Sequence, residues 1–140
     1  MVFPRLRRHC RDERGSLSIE ALFWLVLVVS VLAMFVDATS MFTAQARILR
    51  IVSDANRAYS VNFLSSTDAV KSYLSYRLGT VAPEVKTDPD THIQVSLSSD
   101  EKTIYTSVTV QGAYFQVFGL FPAFDGLKVT AKAAHMVDPS

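Results

Sequence analysis

The chain has 140 residues, of which 49% are hydrophobic, and its formal net charge is +1. This length fits one small domain with one extended element and excludes two full domains. The chain has one cysteine, Cys10, so it cannot form an internal disulfide. Its three histidines are scattered and do not have the spacing of metal ligands. No basic patch follows the N-terminal segment, which argues against nucleic-acid binding.

An arginine-rich segment opens the chain and is followed by an apolar run. The arginines are Arg5, Arg7, Arg8, Arg11 and Arg14. Leu17–Val36 contains one charged side chain, Glu20, and has the length of about 20 residues that is needed to cross the hydrocarbon core. The next charge is Asp37, and the next basic residue is Arg47. Because basic residues remain on the cytoplasmic side, we predict one membrane helix with its N-terminus in the cytoplasm and the rest of the chain outside it.

The helix is expected to continue well beyond the membrane. No proline and no glycine interrupts the chain from about Ser16 to Phe63. After the apolar run, residues on one face recur at steps of three and four, namely Met41, Ala44, Ile48, Val52, Ala55, Tyr59 and Asn62. Six of these seven are apolar, which indicates an amphipathic extension over residues 37–64 whose apolar face packs against the rest of the chain.

A second, shorter helix is predicted at about Thr67–Leu78. Ser65 with Asp68 three residues later fits a capping box at its start, and Gly79 is well placed to cap its end. The prolines of the stretch that follows, including "KTDPDT" (Lys86–Thr91), indicate a loop.

Three alternating stretches then predict a small antiparallel sheet. Apolar and polar side chains alternate in Ile93–Leu97, in Ile104–Val110 and in Leu127–Ala133, and the polar "SSDEK" (Ser98–Lys102) joins the first two as a hairpin. The fold class is therefore α+β, with about three strands packed on the long helix. The expected division is a leader at 1–15, a transmembrane helix at 16–36, its amphipathic extension at 37–64, and an extracytoplasmic head at 65–140.

The junction between the leader and the apolar run carries the most specific motif. In "RDERGSLSIEALFWLVLVV" (Arg11–Val29), the basic leader ends at Gly15, Ser16 follows, and Glu20 is the fifth residue after the glycine. This arrangement resembles the class III signal of type IV pilin-like proteins. The resemblance implies that a prepilin peptidase cuts between Gly15 and Ser16 on the cytoplasmic side. It also implies that Glu20 pairs with the freed amine, commonly that of a neighbouring subunit, and so sets the register of packed helices.

The whole chain is similar to the TadE-like pseudopilins of tight-adherence (Tad, or Flp) pilus systems. The N-terminal motif carries this resemblance, and the total length, the lack of a disulfide and the C-terminal half ending in "LKVTAKAAHMVDPS" agree with it. One departure is Ala21, since major Flp pilins usually have an aromatic residue directly after the glutamate. This departure and the greater length both favour a minor subunit.

The expected function is therefore assembly of a pilus in the bacterial inner membrane, and not catalysis. The resemblance implies three kinds of partner: a prepilin peptidase, other pilin-like subunits with their inner-membrane assembly platform, and membrane lipid. No nucleophile has an evident base, so we expect no enzymatic activity and no cofactor. Two alternatives remain open, a minor pseudopilin of a type II secretion system and an uncleaved single-pass anchor carrying a ligand-binding domain.

Two stretches in the head are further candidates for function. "AYFQVFGLFPAFDG" contains five aromatic residues, Tyr114, Phe115, Phe118, Phe121 and Phe124, which form either part of the core or an exposed interface for a partner. In "DPDTH", Asp88 and Asp90 carry the charge of a cation site. However, they lack the ligand number and the glycine of a calcium loop, and Asp-Pro-Asp is typical of a turn, so we predict no metal site.

Overall fold

The computed structural model describes residues 13–120 and 126–137, with side chains from residue 19 onward. The helices are α1 (Glu13–Ser60), α2 (Thr67–Leu78), α3 (Pro83–Thr87) and α4 (Pro89–His92); the strands are β1 (Ile93–Leu97), β2 (Thr103–Gln111) and β3 (Lys128–Met136). A short 3₁₀ turn, Gly112–Phe115, follows β2. The predicted α+β fold is confirmed, with a long N-terminal helix, shorter helices, and a three-stranded sheet packed against the long helix.

The long helix α1 contains 48 residues and is about 72 Å long at 1.5 Å per residue. We predicted that the helix would extend to residue 64, but it ends at Ser60. Asn62 has a φ of 58°, its N–H donates to the Tyr59 carbonyl, and the Phe63 N–H donates to the Ala58 carbonyl at 2.9 Å. This is the Schellman arrangement, in which asparagine tolerates the left-handed conformation that ends the helix.

The second half of α1 forms the spine of the head. Its predicted apolar stripe is buried at Met41, Ala44, Ile48, Val52 and Ala55, and Tyr59 packs against the same core. Asn62 lies beyond the end of the helix and is exposed. The stripe also extends back toward the N-terminus, because Asp37 and Ala33 are buried on the same face.

Helix α2 has the bounds predicted from the sequence, and its buried side chains are Val70, Leu74 and Leu78. Its N-cap differs from the prediction: Ser66, and not Ser65, accepts a hydrogen bond from the Ala69 N–H at 3.1 Å. Gly79 caps the other end in a right-handed conformation. Its requirement for glycine comes from space, because a Cβ there would lie 2.8 Å from the Ser75 carbonyl oxygen and 2.9 Å from Lys86 Cβ.

The proline-rich stretch after α2 forms two short helices where we predicted a loop. Pro83 and Pro89 each occupy the first turn of one of them. A proline is well tolerated there, because its fixed φ suits a helix and the N–H that it lacks has no partner inside the helix. Proline was therefore a start signal in this stretch.

The sheet has the order β1-β2-β3 with antiparallel pairing throughout, and β2 is the central strand. Ile93 lies opposite Val108, and Val108 lies opposite Ala131, so these three side chains form one row. The face that carries them is buried against α1 and α2. The alternation predicted for β2 is confirmed by burial of its inward side chains, which are Ile104, Thr106, Val108 and Val110.

Candidate functional site

The three residues of the predicted cleavage and pairing motif, Gly15, Ser16 and Glu20, lie near the start of α1. The backbones of Gly15 and Ser16 are helical, and Glu20 is exposed on the same helix. Arg14 belongs to the first turn by its backbone. Four other residues of the predicted topology signal, Arg5, Arg7, Arg8 and Arg11, lie outside the described residues, as does Cys10.

The first half of α1 is largely exposed and apolar, and its residues 19–36 are called the apolar rod. Within the part of the chain that the structure describes, α1 is the one helix long and apolar enough to cross a membrane; the qualifying stretch is Ile19–Ser60, with a mean hydropathy of 2.6 in its best 18-residue window. Only 6% of that window is buried in the chain itself. A soluble protein would bury such a surface, so this exposure is consistent with a single-pass membrane protein.

Asp37 lies where this apolar rod enters the head, and its side chain is completely buried. Its Oδ1 accepts hydrogen bonds from the backbone N–H groups of Val117 at 2.7 Å and Phe118 at 2.9 Å, and its Oδ2 accepts one from Gly119 at 3.2 Å. Gly119 has a φ of 59°, which is readily adopted by glycine and turns its N–H toward the carboxylate. One side chain of the helix therefore holds three consecutive residues of a loop that lies 80 positions later in the chain.

These hydrogen bonds also fix the charge state of the carboxyl group. The N–H group of Phe118, followed by those of Val117 and Gly119, stabilises the ionised form and lowers the pKa of Asp37 below its ordinary value of 3.8, against the opposing effect of desolvation. Asp37 is therefore a carboxylate at neutral pH. Its negative charge is balanced by backbone dipoles, as in the anion-binding nests that successive N–H groups form.

A second polar contact fixes α1 to the sheet near the far end of the head. The buried Asn56 donates from Nδ2 to the Ala133 carbonyl at 3.1 Å and accepts at Oδ1 from the Thr106 hydroxyl at 2.6 Å. Gln45 donates from Nε2 to the Thr130 carbonyl at 3.3 Å, between the levels of Asp37 and Asn56. Strand β3 therefore runs along α1, away from the apolar rod.

The aromatic stretch is divided between core and surface. Phe115 is buried in the core, whereas Tyr114 and Phe118 are about half exposed. Phe121 and Phe124 lie outside the described residues. The 3₁₀ turn that carries Tyr114 and Phe115 is held by Gly112, whose N–H donates to the Leu127 carbonyl at 2.7 Å.

The carboxylates of "DPDTH" have structural partners. Asp88 caps α4: its Oδ1 accepts from the Thr91 N–H, and its Oδ2 accepts from the Thr91 hydroxyl at 2.6 Å. The Thr91 hydroxyl, with its N–H, lowers the pKa of Asp88. Asp90 forms an ion pair with Lys71 at 2.6 Å, which links α4 to α2. Among the described residues, no group of three or more potential metal ligands occurs.

An open groove of about 520 Å³ runs beside α1 at the junction of rod and head. Phe35 and Val36 line the end of the groove on the apolar rod, and Arg47 lines it further along the helix. Val81 and Phe115 line it from the head. The volume is in the range of small-molecule sites, but the groove is open and part of its lining belongs to the apolar rod. This position suits contact with lipid or with a neighbouring helix better than enclosure of a soluble ligand.

Comparison with family models, with curated proteins and with solved structures gave no match to this chain.

The residue that sequence reasoning missed is Asp37. We treated it only as the first charge after the apolar run. Its spacing carried a signal, because Ala33, Asp37 and Met41 follow one another at steps of four and so share the face that is buried from Met41 onward. A carboxylate on the buried face of a helix requires hydrogen-bond donors, and the loop at Val117–Gly119 supplies them.

Proposed function

We propose that this chain is a TadE-like minor pilin subunit that is needed to assemble a Tad/Flp-type adhesive pilus. It would be a single-pass protein of the bacterial inner membrane, with a cytoplasmic N-terminus, and a prepilin peptidase would mature it. The observation that carries the proposal is the single unbroken helix α1, which contains Gly15 and Ser16 in its first turn, continues as an apolar rod and ends as the spine of the head.

The continuity of α1 supports assembly through helix packing. A helix without a break transmits its axial position to the head, which α1 contacts at Asp37, Gln45 and Asn56. Where such helices pack side by side, fixing the register of the rods also fixes the spacing of the heads. A flexible tether would not transmit the register, and an anchor for an independent binding domain does not need to.

Glu20 supports the proposal through its electrostatics. It is exposed on the apolar rod, where an unpaired carboxylate costs several kcal/mol in lipid. Cleavage after Gly15 would free the α-amine of Ser16, which is cationic at neutral pH because such amines have a pKa of about 8. Ser16 lies one helical turn before Glu20, so the amine of the same chain and that of an adjacent subunit are both candidate partners.

Cleavage would require the first turn of α1 to open, because proteases need an accessible peptide bond and Gly15–Ser16 lies in helical backbone. Glycine favours this opening, since it is less stable than alanine in a helix by about 1 kcal/mol. The first turn also lacks hydrogen-bond partners for its N–H groups within the helix.

The intact mass of the chain, extracted from membranes of cells with an active prepilin peptidase, tests maturation directly. We expect a mass that corresponds to a chain beginning at Ser16, and a full-length mass for Gly15→Val. Ser18→Ala, a small change beyond the cleaved bond, is the control and should be processed normally. A full-length wild-type chain would eliminate the pilin-like proposal and would favour an uncleaved anchor.

Counting surface pili in cells that carry Glu20→Val tests the assembly role. We expect pilus number to fall at least about tenfold, while processing and the amount of subunit remain unchanged, because the carboxylate whose pairing favours one register is lost. Asp54→Val is the matched control, because it removes an exposed carboxylate from the same helix outside the apolar rod. Normal piliation with Glu20→Val would contradict the pairing role.

A further inference from the structure

We propose that residues 117–120 form an interfacial loop that inserts its side chains into the outer surface of the membrane beside α1. The inference rests on α1 crossing the bilayer, and it does not depend on cleavage or on pilus assembly. Its partner is the lipid at the boundary between headgroups and acyl chains.

The level of the interfacial loop along α1 is fixed by hydrogen bonds. The N–H groups of Val117, Phe118 and Gly119 all bind the carboxylate of Asp37, which is the first charged residue after the apolar run. One turn closer to the membrane centre, Ala33 is only 5% exposed, although the apolar rod around it is open. The buried face of α1 therefore begins about 6 Å before Asp37, at 1.5 Å per residue.

The apolar side chains of the interfacial loop are exposed. Val117 is 61% exposed, Phe118 is 55% exposed and Leu120 is 58% exposed. Together with Gly119 they form four consecutive residues without a polar side chain. Such an apolar patch is unfavourable in water and marks a contact surface.

This patch continues the surface that the rod presents to lipid. Phe35 and Val36 are exposed at the last turn before Asp37, which is the level at which the loop is held. A membrane that covers the rod up to Val36 therefore reaches the loop as well. Shallow burial of apolar and aromatic side chains at the headgroup boundary is favourable and is how peripheral segments bind.

The role of Asp37 follows from the same environment. A loop near lipid cannot leave its N–H groups to water, because unsatisfied backbone groups are costly in hydrocarbon. The carboxylate satisfies three of them within the protein, which lets the backbone approach lipid while the side chains project outward. Asp37 thus acts as a positioning residue that holds the loop at the membrane surface.

The depth of the loop can be measured with the full chain in phosphatidylcholine vesicles whose acyl chains carry bromine, which quenches tryptophan on contact. Trp24 is the one tryptophan of the chain, so Trp24→Phe provides a silent background. Phe118→Trp then reports on the interfacial loop. Met136→Trp is the control, because Met136 is exposed at the distal end of β3, beyond the level of Asn56, which lies about 28 Å along α1 from Asp37.

We expect brominated lipid to reduce the tryptophan emission of the Phe118→Trp variant at least twofold, with a blue-shifted maximum, and to leave the emission of the Met136→Trp variant unchanged. Leu120→Trp provides a second reporter if the first variant does not fold. Quenching in both loop variants that is no stronger than in the Met136→Trp control would overturn the proposal. A blue shift without quenching would overturn it too, because it would mean that protein and not lipid covers the loop.

Discussion

Replacement of Thr106 by valine tests whether the hydrogen bond between Thr106 and Asn56 fixes α1 to the sheet. Thr106 is buried at the centre of β2, and its hydroxyl donates to Asn56 Oδ1 at 2.6 Å, while Asn56 Nδ2 donates to the Ala133 carbonyl. Thr106→Val replaces the hydroxyl with a methyl group of similar size and keeps the branched Cβ that strands favour. The change therefore removes one hydrogen bond and leaves the shape of the core nearly unchanged.

The magnitude follows from the burial of both partners. Removal of the donor leaves Asn56 Oδ1 in a site that water does not reach, and a buried acceptor without a partner costs about 1–3 kcal/mol. For a domain of about 100 residues, 1 kcal/mol corresponds to roughly 4–8 °C in Tm. A loss of about 2 kcal/mol would therefore lower the Tm of the head by roughly 8–16 °C. Circular dichroism of the full chain in mild detergent measures this change.

Thr109→Val is the matched control in the same strand. Thr109 is half-buried, and its hydroxyl contacts that of Thr130 at 3.3 Å, where water can replace a lost partner. We expect this variant to lose less than about 0.5 kcal/mol, as surface substitutions usually do. If Thr106→Val lowers the Tm no further than Thr109→Val, the hydrogen bond between Thr106 and Asn56 does not stabilise the head.

Three further predictions concern the core, a close backbone contact and pH. Leu74→Ala should lower the free energy of unfolding, measured with denaturant, by about 2–5 kcal/mol because Leu74 is fully buried. Leu49 is about half exposed, so Leu49→Ala should lower it by less than about 1 kcal/mol. Equal losses would show that Leu74 does not pack in the core. Gly79→Ala should lower the free energy of unfolding by about 1–3 kcal/mol because the added Cβ lacks space. Gly126→Ala is the control, since a Cβ there has no atom within 4 Å. Similar Tm values for the two variants would refute this prediction. Folding lowers the pKa of Asp37, so its carboxylate stabilises the head above pH 3.8 and this stabilisation is lost as the pH falls further. The Tm difference between the wild type and Asp37→Asn should therefore shrink below pH 3.8. A difference that stays constant would show that the ionised carboxylate does not stabilise the head.

The sequence predicted the elements of this fold because its periodicities are strong. The stripe from Met41 to Ala55 identified the buried face of α1, and the alternation in β2 identified its inward side chains. The bounds of α2 were correct because apolar spacing and a terminal glycine agreed. Such signals are local and depend on side chains that repeat at the period of the element.

The errors came from residues whose role depends on a neighbour in space. Pro83 and Pro89 start helices, and the sequence alone could not separate this from a loop, since proline is favoured at both places. Ser66 took the N-cap that we assigned to Ser65, because serine suits either position and the first turn decides between them. The end of α1 at Ser60 similarly depends on one left-handed residue, Asn62.

The site at the junction was harder to predict because it joins residues 80 positions apart. The donors to Asp37 are backbone N–H groups, which have no signature in the sequence beyond the glycine at 119. The acceptor does have one, since a carboxylate in phase with a buried stripe must meet donors. Charge at the end of an apolar run therefore has two meanings, a boundary of the membrane or a buried contact. Asp37 is a buried contact, and the helical phase that buries it also places it at the level where the rod meets the head.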